Sequence, residues 1–271
     1  SGRIIREAHK ILMSGEVRGK GTIIPGEFRT SQNFLGPKGA TRENATYVPP
    51  EPQLVQDYIT NLEKYINDET ETNDLIKIAV IHAQFETIHP FSDGNGRVGR
   101  ILIPLYLYNK GLISTSNFFV SESLERDKFR YYRLLNNTRV VVADKEENEL
   151  QYNQDMESAR NSFTEWIDFF LSACISQAEK NIDKINRINA LYEEIIRQSR
   201  EITKSQNICD VIDLIFQYPI FTTKTIKDKI PIAQATLNNY LKKLVDARII
   251  DTDGKQRNRM YFFYDLINII S

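Results

Sequence analysis

Apolar residues along this chain recur mainly at intervals of three and four. Ile4, Ile5, Ala8, Ile11 and Leu12 give residues 3–13 one apolar face, with Gly15 as the expected stop. The same spacing predicts helices over 52–68, 74–88, 95–110 and 123–139. Gly111 is the expected C-cap of the helix over 95–110, and Pro104 inside it predicts a kink rather than a break. Long helices follow over 161–194, where Trp166, Phe169, Phe170 and Leu171 form a packing face and residues 180–187 a solvated, charged one. Residues 19–50 interrupt the periodicity. They are rich in Gly, Pro, Thr and Asn with short β-prone pieces, which predicts a loop or hairpin, and loops of that length in compact domains are often functional.

Beyond the polar stretch 200–205 the pattern changes again. Helices are predicted over 208–216, 222–229 and 232–247, followed by a strand at Ile249-Ile250, a turn at Asp253-Gly254 and a strand over 260–264. Helix, short helix, longer helix and hairpin make a winged helix-turn-helix. The expected organisation is therefore a mainly α catalytic core over 1–200, with a flap at about 19–50, and a small α+β domain over 205–271.

Chemistry concentrates in His89-Pro90-Phe91-Ser92-Asp93-Gly94-Asn95-Gly96-Arg97-Val98-Gly99-Arg100. Asp93 to Gly96 predict a tight turn, and Val98, Ile101, Leu102, Leu105 and Tyr106 continue at helical spacing, so the turn opens a helix. A helix N-terminus with free N–H groups, glycines that admit close approach, and Arg97 and Arg100 for charge-assisted hydrogen bonds predict a phosphate site. Asp93 is placed to give a hard oxygen ligand to phosphate-bound magnesium, and His89 to take a proton from an attacking hydroxyl. Residues 94–99 also fit the dinucleotide pattern G-x-G-x-x-G, but a helix rather than a strand precedes them and no βαβ unit follows, which excludes that reading.

The same run resembles the signature H-P-F-x-D/E-G-N-G-R-x-x-R of the Fic (filamentation induced by cAMP) family at every fixed position. The resemblance extends over roughly residues 3–180 and includes Gly26-Glu27-Phe28-Arg29-Thr30-Ser31-Gln32 and Arg130-Tyr131-Tyr132. It implies a Fic-type helical bundle with a β-hairpin flap, acting as a protein adenylyltransferase that moves AMP from ATP onto a target Ser, Thr or Tyr. It implies His89 as base, Asp93 as magnesium ligand and Gly94, Asn95 and Gly96 as anion cradle. Arg97 and Arg100 would meet the phosphates, Arg100 the γ-phosphate. Leu35, Tyr131, Tyr132 and Leu135 would line the adenine site, and the flap would dock the target as an added strand. Some relatives carry Asn where Arg139 stands. On composition alone the Tyr131, Tyr132 and Leu135 cluster reads as core.

Composition adds boundaries. At 271 residues, 41% hydrophobic and 26% charged, with formal net charge −1, the chain can bury a sizeable core and is not a general polyanion binder. Two cysteines, no apolar run of membrane-spanning length and no visible signal peptide make a reducing cytoplasm the expected location. Cys174 and Cys209 read as small buried hydrophobes, His82 as a satisfied core histidine and His9 as a surface or packing residue. Residues 204–271 carry ten basic against seven acidic side chains. Gln234, Thr236, Asn238 and Asn239 on the third helix of that domain and Lys255, Arg257 and Arg259 on its wing make a DNA-binding regulator the rival reading. A protein-interaction module is equally open, as is assembly into a homo-oligomer. The family's inhibitory pattern S/T-x-x-x-E-G/N is absent. Either an upstream segment or a separate partner is then expected to supply that glutamate, and Arg100 is expected to be unopposed within this chain.

Overall fold

The computed structural model describes residues 1–14, 24–70 and 73–271. Helix α1 (Gly2–Met13) buries Ile5, His9 and Met13, a four-residue repeat along one face. A single 3-10 turn, Pro52–Leu54, leads into α2 (Val55–Asn67), which buries Val55, Ile59 and Leu62. Helix α3 (Asp74–Ile88) starts on Asn73, whose side chain accepts the Leu75 N–H at 2.9 Å. It is covered on nearly every side, from Ile78 and Ala79 to Phe85 and Ile88. Helix α4 (Asn95–Asn109) runs through Pro104 without a break. It ends with Gly111 at φ +70° and the Leu112 N–H donating to the Leu107 carbonyl, the closure that a left-handed glycine cap allows. The expected stop at Gly15 and residues 19–23 of the flap lie outside the described residues.

The helix expected over 123–139 is two helices, α5 (Ser121–Arg126) and α6 (Lys128–Asn137). Asp127 separates them. Its backbone leaves the helical region at φ −117° and ψ 66°, and its carboxylate accepts the Arg130 N–H at 3.1 Å, so it caps α6. Arg139 consequently lies beyond the helix, not on it. The long helices are one continuous helix, α7 (Glu149–Thr203).

The chain divides into two compact units, Ser1–Ala178 and Glu179–Ser271, with the division inside α7. The core of the first gathers α3, α4 and α6 around Trp166, Phe169 and Phe170, and the Trp166 indole donates to the Ala79 carbonyl at 2.8 Å. Residues 24–50 of the flap run over this unit as turns and extended chain, closed by one antiparallel bridge between Leu35 and Tyr47.

In the second unit α8 (Ile208–Gln217), β1 (Ile220–Thr222), α9 (Thr223–Lys227), α10 (Gln234–Asp246), β2 (Asp251–Thr252), β3 (Met260–Phe262) and α11 (Tyr264–Ile270) follow in turn. The sheet order is β1-β3-β2, antiparallel, with Ile220 opposite Phe262 and Thr252 opposite Tyr261. Ile249 and Ile250, expected in a strand, instead precede β2 as buried core residues.

Candidate active site

The site forms where α3 ends and α4 begins. A residue before proline is disfavoured in the right-handed helical region, so the chain must leave α3 ahead of Pro90. His89 does so at φ +49°, its N–H still bonded to the Phe85 carbonyl at 2.9 Å. Gly94, at φ +77°, opens α4. Between them Asn95 clamps the loop, its Oδ1 accepting the Phe91 N–H and its Nδ2 donating to the Phe91 carbonyl, both at 2.8 Å. Asn95 is buried, so its amide shapes the cradle while backbone N–H groups remain for an anion.

Three further side chains hold this loop from outside. His9 Nδ1 accepts the Gly26 N–H at 2.9 Å, which leaves Nε2 to donate to the Asp93 carbonyl at 3.2 Å. Its ring stacks on Phe91 with centroids 3.8 Å apart. Burial lowers the His9 pKa, in keeping with a neutral ring of fixed tautomer. Arg29 is buried and donates from Nε to the His89 carbonyl at 2.8 Å and from its terminal nitrogens to the carbonyls of Pro50 (2.5 Å), Ser31 and Ile88. Asn33 adds a bond from Nδ2 to the Phe91 carbonyl at 2.9 Å. The flap and the catalytic loop are thereby one hydrogen-bonded structure.

His89 Nδ1 is buried with no partner in hydrogen-bond geometry. Burial, reinforced by the charges of Arg29 and Arg139, lowers its pKa to about 4, opposed only in part by the Glu86 carbonyl and Asp93. The imidazole is therefore a neutral base at physiological pH. Asp93 is exposed and its Oδ1 accepts the Gly94 N–H at 2.6 Å. Among the described residues no three ligating side chains gather around a metal, so a cation at Asp93 would need oxygens from a bound phosphate. Magnesium is commonly held that way, by one or two carboxylates plus substrate phosphates, and Asp93 fits it. Arg97 is exposed beside Met13, and the Arg100 guanidinium covers Gly96. Arg100 is not unopposed: its Nη2 pairs with Glu125 of α5 at 3.0 Å.

Alongside lies a cavity of about 610 Å³ lined by Leu35, Gly36, Tyr47, Tyr132, Leu135 and Arg139, with Glu86 among the remaining walls. The Arg139 guanidinium lies 3.4 Å over the Tyr47 ring. The Tyr47 hydroxyl in turn donates to the Thr87 carbonyl at 2.7 Å.

Residues 1–107 match the sequence profile of the Fic/DOC family. A probable protein adenylyltransferase of Aquifex aeolicus is 38% identical over 91 residues, 31% of this chain and 28% of that protein. The Caenorhabditis elegans protein adenylyltransferase fic-1 is 33% identical over 88 residues, 32% of this chain and 16% of that protein. The chain carries a Fic domain. Its matches span less than a third of these relatives' lengths. Among solved structures, a Fic family protein from Desulfovibrio desulfuricans G20 gives a TM-score of 0.49 at 20% sequence identity, covering 97% of this chain and 68% of that one.

The structure brings Leu35, Tyr132 and Leu135 to one cavity, as the resemblance implied, but not Tyr131. Tyr131 is 3% exposed and its hydroxyl is bonded to His82 Nε2 at 2.9 Å, while His82 Nδ1 meets the Gly99 carbonyl at 3.1 Å. Both are core, because each ring already has its polar partner inside the protein. His9, read as surface or packing, is 1% exposed and positions the loop. Glu86 and Glu125 escaped sequence reasoning, and Arg29, though within the stretch that carries the resemblance, was given no role there. Glu86 had a legible signal, an acid one turn before His89.

Proposed function

We propose that the Fic domain transfers AMP from ATP to a serine, threonine or tyrosine hydroxyl of a target protein. The observation that carries this reading is the neutral His89 held beside a glycine-lined helix N-terminus with two arginines, next to a cavity whose apolar and aromatic walls suit a flat base. His89 takes the proton as the target oxygen attacks the α-phosphorus, and the bond from that phosphorus to the bridging oxygen breaks to release pyrophosphate. The cradle N–H groups, Arg97 and Arg100 orient the phosphates and stabilise the charge that develops on them. Magnesium at Asp93 would neutralise part of the pyrophosphate charge.

The target would lie along the flap near exposed Thr30 and Ser31, adding main-chain hydrogen bonds there. Thr30→Pro would then impair target modification more than ATP binding. The deciding experiment incubates the protein with magnesium and ATP labelled at the α or the γ position, together with cell lysate. Label transferred from the α position alone supports AMP transfer, whereas label from the γ position alone identifies a kinase and overturns it.

For the second unit we propose a winged helix that contacts duplex DNA. A groove of about 900 Å³ between α9, α10 and the hairpin is lined by Lys224, Lys227, Lys242 and Arg259 together with Gln234 and Asn238, and also by Asp228 and Asp246. Basic groups and amides are the side chains that meet phosphates and base edges respectively. Fluorescence anisotropy with a labelled duplex should give binding that weakens steeply between 50 and 200 mM salt, on the order expected for several released counterions. Salt-insensitive or absent binding would leave a protein partner as the alternative.

A further inference from the structure

Glu86 is the one buried carboxyl at the site with no assigned task. It is 7% exposed, and its Oε1 is enclosed without a hydrogen-bond partner. That oxygen is pressed against α4: a Cβ built on Gly99 would stand 2.5 Å from it. The residue nevertheless forms part of the cavity wall between the flap and α6. The charges acting on it come from Arg100, on the cradle side, and Arg139, on the side of the cavity shared with Tyr47 and Leu135. Tyr131 also faces it but is committed to His82. Burial raises the Glu86 pKa to about 7, opposed by the charges of Arg100 and Arg139.

A nucleotide with its base in the cavity and its phosphates on the α4 N-terminus has to lay its sugar between those two ends, which is where Glu86 stands. A carboxylate repels phosphate and gains little from an apolar base, but it accepts hydrogen bonds from a vicinal diol, as acidic residues do on the ribose of dinucleotides. We propose that Glu86 accepts the ribose hydroxyls of the bound nucleotide and so selects ribonucleotides over deoxyribonucleotides. The proposal rests on the nucleotide reading of the site above.

Calorimetric titration of the full chain with magnesium-bound ATP and 2′,3′-dideoxy-ATP tests it, with Glu86→Ala and Glu86→Gln alongside. Hydrogen bonds to a charged group predict a preference of about tenfold or more for ATP in the unmodified protein. Glu86→Ala should bring ATP down to the dideoxy level while leaving dideoxy-ATP affinity unchanged, and Glu86→Gln, which keeps an acceptor oxygen, should recover part of the preference. Inosine triphosphate, which lacks the 6-amino group, serves as control. If Glu86→Ala alters the choice between ATP and inosine triphosphate instead, the carboxylate reads the base and the proposal fails. Equal loss of ATP and dideoxy-ATP affinity would make Glu86 merely structural and also overturn it. Tight ATP binding without discrimination in the unmodified protein would sink this inference and spare the nucleotide reading. No binding of either nucleotide would sink both.

Discussion

His89 pairs an uncommon backbone with an uncommon ionisation. Pro90 after it disfavours the right-handed helix but not in favour of a positive φ, so the left-handed turn is held by the Phe85 and Arg29 bonds to its backbone, and burial rather than a nearby cation is the main reason its pKa falls. The base form is populated above that pKa, so catalytic rate should hold as pH drops through 6.5 and decline only toward 4. A pH–rate profile of kcat at saturating ATP that breaks near 6.5 would contradict this environment. His89→Ala should abolish transfer while magnesium-ATP affinity stays within a few-fold, measured by calorimetry, because the ring acts on the incoming hydroxyl and not on the nucleotide. Glu125, paired with Arg100, is 56% exposed, and an ion pair with so solvated a partner is worth about 0–1 kcal/mol. Glu125→Ala should therefore tighten ATP binding by no more than about fivefold. A much larger gain would mean that Glu125 restrains the site strongly.

Among the elements, the turn between α3 and α4 was the most legible in sequence, because proline, two glycines and an asparagine leave the backbone few conformations. The network that steadies it was not. His9, Arg29 and Asn33 act on it through backbone carbonyls from 58 to 84 residues away along the chain, and no local pattern marks a side chain whose partner is so distant. The break at Asp127 was missed for a related reason. Helical spacing continues across it, and only the carboxylate turning back onto the Arg130 N–H makes it a cap. Arg29 offers the sharpest test of the network. A lysine has a single ammonium and cannot reach four diverging carbonyls, so Arg29→Lys should cost about 2 kcal/mol or more, read by denaturant unfolding. It should also loosen the flap, raising the KM for target protein more than that for ATP.

At the scale of the whole molecule, periodicity and breakers gave most of the helices but neither β1 nor α11, and the expected boundary at 200–205 is not where the two compact units divide. The point of division was not legible, because α7 passes through it without a glycine, a proline or a change of amphipathic face to mark it. Four groups tie stability to pH, His9 with a pKa lowered by burial in the same sense as those of His82 and His89. His82 and His89 have folded pKa values lowered to about 4, so the unfolded chain binds more protons and stability climbs as pH rises toward 6.5. Glu86, raised to about 7, works in the opposite sense above pH 4.5. Three histidines outweigh one carboxyl, so thermal melting should be higher at pH 6.5 than at pH 5. Glu86→Gln should widen that gap, and an unchanged or narrower gap would mean that the carboxyl is not held protonated by its surroundings.

The contact between Glu86 and Gly99 also governs how this site can change. A methyl group at 99 would have to displace the Glu86 carboxylate, so Gly99→Ala made first should damage the protein, whereas after Glu86→Ala only the Phe85 ring, 3.1 Å away, would have to give and the cost should be smaller. The pair would show strong non-additivity in a double-mutant cycle. The order of substitution decides what the first step costs: packing if Gly99 changes first, nucleotide selectivity if Glu86 does.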